Sequence, residues 1–179
     1  KHYHRAIEIW KEVLDIDPYY HPVYYELATV YLENNDIQQA NKIAKSGLKY
    51  DEFDKRLYYI IGQTSFRLAK LEEAIEALQE AIALDEDYKE AIVLLVEIYE
   101  ENNQMEEMVE FLEEIKDLGG SDPVYEWKLA IGYQELEQYQ KARESFEIAY
   151  FHLENDPAFL KDYGYFLIED GSLEEGVKL

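Results

Sequence analysis

Four histidines, His2, His4, His21 and His152, are the imidazoles available to a 179-residue chain that has no cysteine. His2 and His4 could share a metal, but a third ligand would have to come from elsewhere, so the pair reads as solvent-facing histidines near a chain end. The acid-rich turn Asp15-Ile16-Asp17-Pro18 lacks the glycine and the later glutamate of a calcium loop. No Ser/His/Asp set, phosphate loop or HExxH stretch occurs. Disulfides, thiolate nucleophiles and zinc–sulfur sites are excluded with cysteine. Carboxylates abound, but with 40 acids against 17 bases they belong on solvated helix faces. The expectation is no enzyme activity, no catalytic residues, no metal and no cofactor.

Charge narrows the partners. A formal −23 repels nucleic acid and anionic membranes, because phosphate binding needs Lys and Arg to displace counterions. The longest apolar run, residues 91–96, is far below the ~20 residues of a membrane span. A cytoplasmic protein is therefore expected. The acid keeps a surface-rich chain soluble and would steer a basic partner.

The elements that must position any site are helices. Glu, Leu, Ala, Lys and Gln dominate, with only 8 Gly and 4 Pro. Within residues 71–84, Leu71, Ala74, Ile75, Leu78, Ala81 and Ile82 keep the spacing of one helical face. Stepping by 34 residues finds the same slots again. One small slot holds Ala6, Ala40, Ala74, Met108, Ala142 and Gly176; another holds Ala28, Gly62, Val96, Ala130 and Gly164. A large apolar slot holds Leu27, Ile61, Leu95, Leu129 and Tyr163, and a fourth holds Ile37, Leu71, Met105, Tyr139 and Leu173.

Each period must contain two helices. Breaks fall at 33–36, 101–104 and 169–172, and a capping acid recurs at Asp54, Asp122 and Asp156, twice followed by proline. Gly119 and Gly120 supply a helix stop. The unit is a helix hairpin, in which Gly62 and Ala74 are expected to face each other at a close crossing. Val96 and Met108 should loosen the pair in 89–122.

A 34-residue hairpin with these slots resembles the tetratricopeptide repeat. Residues 24–31 and 58–65 match the first half of its pattern, 128–133 more loosely, and 74–81 and 142–149 match the second half. The family proline survives only at Pro18. The resemblance implies an all-α protein, a right-handed α-solenoid of antiparallel helix hairpins. It would be a single array over 1–179: a half-repeat at 1–20, repeats 21–54, 55–88, 89–122 and 123–156, and a partial repeat 157–179. In this register the chain is a fragment of a longer array.

In such arrays the first helix of each unit lines a concave groove. The resemblance places Tyr25, Thr29, Tyr59, Gln63, Phe66, Glu97, Glu100, Trp127, Ile131 and Tyr165 there. Tyr24 and Tyr58 are expected in the core. Their neighbours Tyr25 and Tyr59, about 100° further round the helix, either face the groove or contact an adjacent unit. Chaperone-binding members of the family hold a C-terminal carboxylate with Lys, Asn and Arg; here those slots hold Tyr25, Thr29, Ile60, Glu90 and Leu94, so that clamp is absent.

Residues 86–117 carry twelve acids and two lysines, a net −10. The function implied is a non-catalytic protein-interaction module binding a peptide or helix of a partner protein with basic and apolar residues. The alternatives are a peptide-sensing regulatory domain of a larger multidomain protein and a self-association module.

Overall fold

The computed structural model describes residues 2–120 and 122–171. Leu173 and Gly176, Ser172 of the last break and the end of segment 157–179 lie outside the described residues, as does the side chain of His2. Ten α-helices are present among the described residues: α1 (His2–Ile16), α2 (Pro22–Glu33), α3 (Ile37–Gly47), α4 (Lys55–Arg67), α5 (Leu71–Leu84), α6 (Lys89–Glu101), α7 (Met105–Asp117), α8 (Pro123–Glu135), α9 (Tyr139–Leu153) and α10 (Pro157–Glu169). The fold is all-α. Contacts divide it into two compact units, Lys1–Ile98 and Tyr99–Leu179, each described by itself.

The starts and stops follow from cap chemistry. Asp54, Asp122 and Asp156 each cap a helix, accepting from the backbone N–H of Arg56, Val124 and Ala158 at 3.0, 3.0 and 2.8 Å. Gly119 adopts φ +94°, and the Gly120 N–H bonds to the Ile115 carbonyl at 2.9 Å, which ends α7. The tight reversals share a second device. Asn35, Ala69, Asn103, Glu137 and Gly171 all have φ between 55° and 86°, and they stand 34 residues apart. The next amide then closes each of the first four turns: Asp36 to Tyr31, Lys70 to Ser65, Gln104 to Tyr99 and Gln138 to Tyr133, at 2.8–2.9 Å.

The slots sort by depth. Ala28, Ala40, Ala74, Ala130, Ala142 and Met108 are fully buried, as are Leu27 and Leu95. Ile37, Leu71 and Met105 of the fourth slot are only half-buried, and Tyr139 is exposed. Tyr24 is core, but Tyr58 is half-buried.

In unit 1 one cluster joins Tyr24, Ala28, Ala44, Leu57, Ile60, Ile61 and Ala77. Another joins Ile7, Leu27, Val30, Tyr31 and Ala40, with Trp10 packed against it. In unit 2 the core is aromatic: Phe146 lies 5.1 Å from Tyr163 and 4.9 Å from Phe166, ring centre to ring centre.

Two packing expectations change. A side chain at Gly62 would meet not Ala74 but Leu78, one turn further along α5, with a Cβ only 2.6 Å from its Cγ. Met108 spends its length on α8, where its Cε would lie 2.9 Å from a Cβ at Gly132. The glycine of α8 makes room for the methionine that replaces alanine.

A polar seam crosses unit 1. Buried Asn41 donates to Thr64 and Ser65 at 2.7 and 3.1 Å, Ser65 donates to Glu73 at 2.6 Å, and Lys45 lies 2.6 Å from the same carboxylate. The Lys45 and Ser65 hydrogen bonds hold the Glu73 carboxyl at about 2, against an ordinary value of 4.5. The pairing therefore stabilises fully above the ordinary value and fades as pH falls toward the folded one.

Three outcomes are expected. Gly62→Val should cost unit 1 about 1–3 kcal/mol by overpacking Leu78; an unchanged urea midpoint would show that Leu78 can move aside. Glu137→Gly should stabilise unit 2 by about 0.5–1 kcal/mol by relieving a left-handed non-glycine residue. Glu73→Gln should flatten the loss of stability between pH 4.5 and about 2, measured by denaturant unfolding at fixed pH values.

Candidate peptide-binding cleft

The site residues of unit 1 lie on α2, α4 and α6. Tyr59 on α4 faces Tyr88, the last residue before α6, with ring centres 5.4 Å apart and planes tilted by 49°. Gln63, one turn on, donates to the Tyr59 hydroxyl at 3.0 Å. Around Tyr59 opens a cleft of about 530 Å³, walled by Gln63 and Arg67 of α4 and by Lys89, Glu90, Val93, Leu94 and Glu97 of α6. Val93 is 40 % exposed, so the wall offers apolar surface to solvent.

The field in the cleft is negative where the tyrosines sit. Burial raises the Tyr59 hydroxyl above its ordinary value, and Glu90 and then Glu97 add to it. Tyr88 is raised by burial first and by Glu90 next. This holds although Arg67 and Lys89 also line the walls. Lys55 pairs with Asp85 and reaches over the Tyr88 ring at 4.9 Å, closing that side.

Tyr25 is covered rather than open. The Arg56 guanidinium lies over its ring at 4.4 Å and grips Asp54 through Nε at 2.9 Å and Nη2 at 2.7 Å. Burial pushes the Asp54 carboxyl up, but the two Arg56 bonds outweigh it and the net shift is down. Thr29 and Phe66 are half-buried on α2 and α4 and do not line the cleft.

In unit 2 the expected residues separate. Both Glu100 oxygens accept from Lys128 at 2.8 Å, so its charge is offset locally. Trp127 packs edge-on against the buried Phe159 at 5.8 Å, with Lys128 5.3 Å from its ring centre. Ile131 is half-buried, while Tyr165 is 60 % exposed.

Tyr88 is the residue that sequence reasoning missed. Its signal was present: it stands in the slot that elsewhere holds the capping acids Asp54, Asp122 and Asp156. An aromatic where a cap belongs was the mark of a different task. No group of three or more His, Asp or Glu that could hold a metal occurs among the described residues.

Paired helices joined by three-residue reversals, with exposed aromatics on the first helix of a pair, define a helical-repeat interaction scaffold. A tetratricopeptide repeat family model matches residues 1–63 and 66–126, and a model for YpiA-like C-terminal tetratricopeptide repeats matches 123–179. The chain belongs to the tetratricopeptide repeat family.

Among curated proteins it is 36% identical over 174 residues to the TPR repeat-containing protein YpiA of Bacillus subtilis (strain 168), over 97% of this chain and 41% of that protein. It thus spans about two-fifths of that relative's length. Solved structures share the fold. YrrB, described as a TPR protein with an unusual peptide-binding site, matches with a TM-score of 0.75 at 13% identity, over 96% of this chain and 89% of that one. MamA matches with a TM-score of 0.72 at 24% identity, over 85% and 83%. No described helix is long and apolar enough to cross a membrane.

The cover on Tyr25 makes a prediction of its own. Arg56→Gln should free the Tyr25 ring face and strip Asp54 of its bidentate partner. The Asp54 carboxyl should then titrate at higher pH, as followed by its side-chain carbon resonance in NMR.

Proposed function

We propose that the chain is a non-catalytic docking module that holds a peptide segment of a partner protein in the cleft between α4 and α6. The observation that carries this is the Tyr59–Tyr88 pair, set 5.4 Å apart beside Glu90 and Glu97, with Val93 and Leu94 opposite. A Lys or Arg side chain entering there would meet aromatic rings and two carboxylates, while its apolar neighbours lie on Val93 and Leu94. The partner chemistry is therefore basic and apolar in alternation. Thr29, Phe66, Trp127, Ile131 and Tyr165 are secondary contacts in this reading, and Glu100 contributes less than Glu97 because Lys128 holds it.

The same reading keeps the repeats 21–54, 55–88, 89–122 and 123–156 as the working units, in a cytoplasmic protein longer than this chain. A family of non-enzymatic interaction scaffolds and a surface of −23 support it.

The test is binding of a pentapeptide alternating leucine with lysine or arginine, by surface plasmon resonance across a range of salt. Tyr59→Ala should speed dissociation and weaken binding about tenfold, or ~1.4 kcal/mol. Glu97→Lys should slow association and flatten the salt dependence. Equal binding from low to high salt, or preference for an acidic counterpart, would overturn the assignment.

A further inference from the structure

In a chain with 40 acids and 17 bases, four lysines converge on one cavity of unit 1. The cavity, of about 650 Å³, is lined by Lys42 and Lys45 of α3, Lys49 in the turn that follows it, and Lys70 between α4 and α5. We propose that it is a second docking point, taking a short acidic peptide segment of a partner protein. It shares no lining residue with the Tyr59 cleft and does not depend on that assignment.

The charge there is not balanced from within. Glu73 pairs with Lys45 at 2.6 Å and lies 3.6 Å from Lys70. Lys42 and Lys49 are exposed and make no ion pair among the described residues. The wall behind them is fixed. The Asn41 amide is committed to Thr64 and Ser65 at 2.7 and 3.1 Å, and Leu68 supplies an apolar patch. Three positive charges at positions 42, 45 and 49 run along about 10 Å of largely helical backbone. An extended peptide advances about 3.3 Å per residue, so carboxylates at alternate positions of a three- or four-residue stretch reach both free ammonium groups.

Other anions fit less well. A small inorganic anion bridges one lysine pair and leaves the rest of the row unused. A nucleic-acid backbone that continued past the cavity would run over a protein of net −23. A short acidic segment with neutral flanks gains the local attraction and avoids that repulsion.

The experiment uses an acetylated hexapeptide alternating glutamate with leucine, and its glutamine counterpart, titrated into ¹⁵N-labelled protein. Amide shifts confined to residues 42–49 and 68–70 are expected, with no response to the glutamine peptide. Binding should weaken at least tenfold in Lys42→Glu/Lys49→Glu and in the milder Lys42→Gln/Lys49→Gln. It should also weaken as salt rises, and persist in Tyr59→Ala. Equal binding of the glutamine peptide, shifts elsewhere, no binding of the glutamate peptide or no effect of either double variant would overturn the proposal. So would displacement by inorganic phosphate at equal concentration, which would mean an adventitious anion site only. Tighter binding of a single-stranded oligonucleotide would assign the cavity to nucleic acid instead.

Discussion

A helix hairpin that must reverse in three residues needs one residue in the left-handed region, and four of the five found here are not glycine. That reversal is what the rest depends on. It aligns the second helix so that Ala40, Ala74 and Ala142 face inward, and it lets Leu78 come within reach of Gly62. Asparagine tolerates the conformation at 35 and 103, and Ala69 and Glu137 are held in it by the amide that closes each turn. With the turns set, the first helices end in register at Glu33, Arg67, Glu101, Glu135 and Glu169. Exposed side chains then recur on comparable faces, which is why Tyr25 and Tyr59 occupy equivalent places on α2 and α4.

Equivalent place does not make equivalent role. Tyr25 lies under Arg56, whereas Tyr59 stands open beside Tyr88. The difference comes from neighbours outside the periodic slots, above all an arginine two residues after a cap and a tyrosine in a capping slot. Basic residues are treated in the same way. Lys55, Lys116, Lys128 and Arg143 are tied to carboxylates of neighbouring elements. The few cations left unpaired therefore set the local sign of the surface wherever they gather.

The helices, their caps and the buried slots were legible in the sequence because each depends on residue type at fixed spacing. Asp54, Asp122 and Asp156 cap as their positions require, and the alanine slots are buried. The partner of Gly62 was not legible, since choosing Leu78 over Ala74 depends on how far one helix slides along the other. Met108 reaching α8 depends on a glycine 24 residues away, which the repeat places in a different unit. The site was read as a face, and a face can be derived from periodicity. The cleft depends on which side chains cover which, and Glu100 and Trp127 are engaged by Lys128 and Phe159 through contacts no spacing rule specifies.

The chain has two tryptophans, and the fold has given one to each compact unit. Trp10 packs on the Ile7–Leu27 cluster of unit 1, and Trp127 stands edge-on to Phe159 in unit 2. Each indole is thus an intrinsic fluorophore reporting the solvent exposure of its own unit. With one of the two replaced by phenylalanine, emission from the other follows the melting of a single half of the molecule, and comparison of the two traces measures the cooperativity that couples them.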